Sequence, residues 1–127
     1  MICRNLLGAQ FLLVDNFTKR LSAINLLEDS TVNSIPAILP VMIFASFQKE
    51  ETDNNINDIN IQIDLNGKIL TSIVVRVDFN PSPVSKSISN SGVLISEPGV
   101  LTISVIFNQK VLARYSVNIN SSSNRIG

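Results

Sequence analysis

The stretch Ile59-Asn-Ile-Gln-Ile-Asp-Leu65, followed at once by Asn66-Gly67, restricts the fold of this chain more than any other. Side chains of an extended strand alternate between its two faces, so Ile59, Ile61, Ile63 and Leu65 share one face while Asn60, Gln62 and Asp64 take the other. Asn-Gly suits the two positive φ angles of a type I′ turn, which predicts a hairpin returning through residues 68–79. Its dry face must be covered by a second layer.

The same period recurs along the chain. Ile73, Val75, Val77 and Phe79 form the inward row of the return strand. Leu101, Ile103, Val105 and Phe107 form another, followed across Asn108-Gln109 by Val111, Ala113, Tyr115, Val117 and Ile119. Residues 9–16 and 21–27, joined through Phe17-Thr-Lys-Arg20, predict an opening hairpin. Residues 39–48 are apolar on both parities, with Val41, Ile43, Ala45 and Phe47 on one side and Met42 and Phe44 on the other, as in a central strand covered on both faces. Pro40 restricts where that strand begins. Residues 28–38 read as a crossing between sheets, 49–58 as a polar loop, and 80–99 as a Pro/Ser-rich loop with a short apolar patch at Val93, Leu94 and Ile95.

No stretch carries a helical stripe. The expected class is therefore all-β: a two-layer antiparallel immunoglobulin-like sandwich of about seven strands, with a small barrel as the alternative. Residues 1–119 are expected to form a single domain and 120–127 a flexible polar tail. The antibody signature is missing, since the chain has no tryptophan and one cysteine.

Lys19-Arg20-Leu21-Ser22-Ala23-Ile24, the crossing with Pro36 and Pro40, and the closing Pro98-Gly99 hairpin together resemble an uncharacterised bacterial family of short immunoglobulin-like sandwich domains. The similarity runs from about residue 9 to 119 and rests on strand and turn patterns. It implies a fold and supplies no catalytic residue.

Composition removes several chemistries. Histidine is absent, which takes away the usual general base near neutral pH and the commonest zinc ligand. Ten basic residues balance ten acidic ones, so no net field draws the chain to nucleic acid or an anionic membrane. A lone Cys3 makes no internal disulfide, which favours a reducing, cytoplasmic setting. The apolar opening from Met1 to Val14 contains Gln10, is too short to span a bilayer and precedes no small-x-small cleavage site. It reads as a strand, with export as the lesser alternative.

Each candidate site has a plainer reading beside it. Asp53, Asn55 and Asn57 have the one-three-five spacing of a calcium loop and Asp64 falls at the twelfth position, yet Asp58 stands where glycine is needed. A solvated loop is expected. Glu50, Glu51, Asp53, Asp58, Asp64 and Asp78 would need a shared cleft to act as paired carboxylates. Cys3 has only Arg4 nearby to activate it. Ser85-Lys86-Ser87 places dyad residue types side by side, which is poor evidence of dyad geometry. Asn16-Phe17-Thr18 and Asn120-Ser121-Ser122 match the glycosylation pattern, relevant only in a secretory pathway.

No catalytic, cofactor-binding or metal residue is assigned. The expectation is a non-enzymatic protein-interaction or structural module whose partner is another protein or a second copy. Binding would use a sheet edge or the loops 49–58 and 80–99. The first strand and the Leu112-bearing final hairpin are the expected edges, with Leu112, Met42 and Val74 exposed. The alternative is a carbohydrate- or calcium-binding module using loop 49–58.

Overall fold

The computed structural model describes the backbone of residues 1–14, 21–26, 29–32 and 36–121, and the side chains of 1–9 and 36–120. Nine strands occur among these residues: β1 (Ile2–Val14), β2 (Leu21–Leu26), β3 (Asp29–Val32), β4 (Ala37–Gln48), β5 (Ile56–Leu65), β6 (Lys68–Asp78), β7 (Val84–Ile95), β8 (Gly99–Phe107) and β9 (Lys110–Ser121). They form two sheets, ordered β2-β1-β4-β7 and β3-β9-β8-β5-β6. Every pairing is antiparallel except β3 with β9. The protein is a two-layer β-sandwich.

The core lies between the layers. β4 contributes Leu39, Val41, Ile43, Ala45 and Phe47, and β5 contributes Ile59, Ile61, Ile63 and Leu65; β8 adds Leu101, Ile103 and Val105, while Val77, Val93, Ile95, Val117 and Ile119 close the ends. β4 sits between β1 and β7 and is covered on its other face too, where Phe44 packs with Ala9, Leu7 and Met42. Its two-sided apolar pattern has this cause. Pro40 falls beyond the last β1 pair, Ala9 with Met42, where β4 has only β7 as a described neighbour. A missing N–H is tolerated where one side of a strand is unpaired.

Two strands lie where none was expected. β3 occupies part of the crossing 28–38, and β7 fills most of the segment expected as loop 80–99. β7 pairs with β4 without interruption from Val84 opposite Gln48 to Ile95 opposite Ala37. β9 extends to Ser121, two residues past the expected end of the domain. The Phe17–Arg20 turn, including Lys19 and Arg20, and the tail beyond Ser121 lie outside the described residues.

The final hairpin departs from strict alternation. Val105 pairs with Ala113 and Ile106 with Val111, which leaves Leu112 as the extra residue of a β-bulge. The bulge reverses the faces beyond it. Leu112 packs against the core, whereas Val111, expected to point inward, is exposed.

Both predicted tight turns form. Asn66 and Gly67 have φ of 51° and 84°, and Asn108 and Gln109 have φ of 49° and 66°. Asn66 also joins the first of these turns to the strand start at Gly99. Its Nδ2 donates to Pro98 O at 3.1 Å, its Oδ1 accepts from Val100 N at 2.9 Å, and its own N–H donates to Val100 O at 2.9 Å. Gly99, at φ 148°, lies so close that a Cβ there would overlap the Asn66 amide.

Two substitutions test these turns. Gln109→Gly removes the left-handed penalty of a side-chain-bearing residue and is expected to raise stability by about 1 kcal/mol, net of the added chain entropy. Gly99→Ala is expected to cost about 2 kcal/mol through strain and displaced hydrogen bonds, lowering Tm by roughly 8 °C. Thermal unfolding followed by circular dichroism measures both.

Candidate functional site

The polar loop between β4 and β5 is organised around the Met1 ammonium. Met1 N lies 2.6 Å from Glu50 Oε1 and 2.8 Å from Asp53 Oδ2, while the Met1 side chain joins the core. Asp53 Oδ2 also accepts the Glu50 N–H at 2.8 Å, and the Asp53 N–H donates to Glu50 O at 3.1 Å. Burial alone would push the Asp53 carboxyl up. The ammonium, the Glu50 N–H and the nearby Lys49 charge outweigh it and hold the carboxyl below its usual range. Burial likewise opposes the ammonium, but Asp53 and Glu50 raise it above its ordinary value.

The rest of the loop is drawn into backbone contacts. Buried Asn57 donates through Nδ2 to Asn54 O at 2.7 Å, Asn55 O accepts Phe79 N–H at 2.7 Å, and Lys49 N–H donates to Pro83 O at 2.8 Å. Asp58 faces Arg76 at 3.6 Å in an exposed pair of little energetic weight. Asp64 lies six residues farther along β5, roughly 20 Å from Asp58 at strand rise. The calcium-like spacing of Asp53, Asn55, Asn57 and Asp64 therefore does not become a ligand shell. Among the described residues no group of three or more His, Cys, Asp or Glu is placed to hold a metal ion.

The other candidates separate in space. Ser85 and Ser87 turn inward while Lys86 is exposed on the opposite face of β7, because one strand step reverses direction. Cys3 is half-buried, its thiol pushed up by burial, with Sγ 3.4 Å from Asn5 O. Arg4, the extra residue at an irregularity in the β1–β4 pairing, donates to Gln48 Oε1. It does not activate the thiol. Asp78 accepts the Asn80 N–H at 2.8 Å. Glu50 and Asp53 do converge, with the Met1 ammonium between them. Asn120 is exposed on β9, and Asn16 lies outside the described residues.

The expected binding edges are covered only in part. β2 pairs with residues 9–14 of β1 and β3 with residues 118–121 of β9, whereas residues 2–8 of β1 and 110–117 of β9 each have one described strand neighbour, β4 and β8. Leu112 is half-buried by its bulge, and Met42 packs beside Phe44 and Ala9. Of the three residues expected to be exposed, Val74 is, at 67%.

Of the described strands, β6 and β7 are sheet edges along their whole length, and they differ in protection. β6 carries Lys68 and Arg76 and a register shift that leaves Leu70 unpaired with β5. Such charges and bulges discourage strand addition. β7 has no register shift, no proline and one charge, Lys86. Its outer row includes exposed Val84, Ile88 and Leu94, and Leu94 stands opposite Ile38, which is 72% exposed. Its inner row runs Ser85, Ser87, Ser89 and Ser91 before buried Val93 and Ile95, and the buried Ser87 Oγ has no hydrogen-bond partner among the described residues. The alternation of serine at 85, 87, 89 and 91 is the sequence signal for this strand, masked by its low hydrophobicity.

Neither protein-family models nor curated proteins give a match to this sequence.

The Met1–Asp53 contact predicts a specific pH dependence. A carboxyl held below its unfolded value near 3.8 stabilises the fold above that pH and loses the effect as pH falls through the folded value. An ammonium raised above 8.0 stabilises below that pH and loses the effect as pH rises through its folded value. The Tm difference between the parent chain and Asp53→Asn should thus be widest between about pH 4 and 8 and shrink on either side. A difference independent of pH would refute this account of the loop.

Proposed function

We propose that the protein is a non-catalytic, immunoglobulin-like interaction module that binds protein through the β7 edge. The carrying observation is the uninterrupted twelve-residue β7, whose outward edge pairs with no strand among the described residues and lies beside Val84, Ile88, Leu94 and Ile38. Strand addition at such an edge supplies main-chain hydrogen bonds for affinity and alternating side chains for selectivity.

Strand order supports the immunoglobulin-like reading. β1, β4 and β7 follow the A-B-E order of one immunoglobulin sheet, and β9, β8, β5 and β6 follow G-F-C-C′ of the other. Recognition by loops at the B–C and F–G end is less favoured. There the second loop is only the Asn108-Gln109 turn, and the first is committed to Met1 and to the backbone at Phe79 and Pro83.

The test is capture of partners from native lysate by the full chain with a tag after Gly127, in chelator, beside an Ile88→Lys/Leu94→Lys variant. Both positions are exposed, so the variant should fold. A stoichiometric protein partner that slows amide exchange across residues 84–95, and binds the variant at least ten-fold more weakly, is the expected result. Equal binding by the variant would remove β7 as the site.

A further inference from the structure

We infer that the β7 edge takes a second copy of this chain, paired antiparallel, β7 to β7, about a two-fold axis through Ile88; the inference rests on the edge reading above. Two β7 strands can meet with inner faces matched only when the axis passes through a residue position, because a half-step shift would set inner residues against outer ones. An axis at Ile88 alone places all four inner serines opposite serines, Ser85 against Ser91 and Ser87 against Ser89. An axis at Ser89 instead opposes Ser85 to Val93 and Ile88 to Asn90.

The Ile88 register also answers the one buried hydroxyl left unsatisfied among the described residues. Ser87 Oγ is buried without a partner in the single chain, and directly opposed side chains in an antiparallel pair have Cβ atoms about 5 Å apart, within reach of a hydroxyl pair. Rotation of Ser87 about χ1 toward the edge brings its hydroxyl within reach of the partner's Ser89.

The outer face fits the same register. Ile88 meets its own copy on the axis, and Val84 faces Gly92, which has no side chain of its own and lies beside Ile38. Lys86 faces Asn90, which keeps the two Lys86 charges roughly 14 Å apart along the strands, beyond the Debye length of about 8 Å at physiological salt. The chain has no net charge to oppose self-association. Pairing would join two four-stranded sheets into one continuous sheet and remove both unprotected edges.

Sedimentation velocity on the full chain from about 1 to 200 μM should show reversible dimer formation, within the range of ordinary self-associating interfaces. Ile88→Lys should raise the dissociation constant at least ten-fold with an unchanged circular dichroism spectrum. In a Cys3→Ser background, mild oxidation should cross-link Ile88→Cys across the axis and leave Asn90→Cys uncross-linked, since the two copies of position 90 lie too far apart. A chain monomeric throughout, a dimer indifferent to Ile88→Lys, or cross-linking at 90 in place of 88 would overturn the inference. If the chain is monomeric yet captures another protein in a manner lost in Ile88→Lys/Leu94→Lys, self-pairing fails and the edge reading stands. If neither occurs, both fail.

Discussion

Two facing layers of branched aliphatic side chains hold this molecule together. With no disulfide and no tryptophan, cohesion depends on Ile43, Ile61, Ile63, Ile103 and their neighbours interlocking from β4, β5 and β8, with Phe47 the largest fully buried side chain among the described residues. Close packing of this kind tolerates few voids, so the strand registers must be held accurately. The tight turns at Asn66-Gly67 and Asn108-Gln109 fix two of them. The bulge at Leu112 shifts the β8–β9 register by one residue, which turns Leu112 onto the core and leaves Val111 exposed.

That dependence explains which parts of the fold were legible in the sequence. Where one face is buried and the other wet, as in β5, the alternation is written directly in residue types. The central position of β4 was equally plain, because Met42 and Phe44 interrupt what would otherwise be a polar face. β7 was hidden since its inner row is serine from 85 to 91: its Cα trace follows the same period, but hydrophobicity does not. The reversal at Leu112 was beyond a strict period-two count, because a bulge is a relation between two strands. Edge positions were legible only in part for a similar reason. They are set by sheet order, and the sequence carries no mark that β2 covers one end of β1 and β3 one end of β9.

The candidate chemistry dissolved for local physical reasons. Loop 49–58 is rich in oxygen donors, yet Asp53 serves a cation belonging to the chain itself and Asn57 folds back on the loop backbone. Ser85 and Lys86 are neighbours in sequence and lie on opposite faces in space. What remains distinctive is an edge strand whose inner row is serine from 85 to 91 while Val84, Ile88 and Leu94 stand exposed on its outer row.

The Asn66 amide has a further consequence, for chemical lifetime. Asn-Gly is the dipeptide most open to succinimide formation, because glycine offers no side chain to obstruct attack by its nitrogen on the asparagine side-chain carbonyl. Here the amide nitrogen and oxygen are both bonded to backbone across the turn, to Pro98 and Val100. Ageing at this site is thereby coupled to opening of the sandwich end. Once the amide became a carboxylate, Pro98 O would lose a donor and face a negative charge, making the first opening harder to reverse.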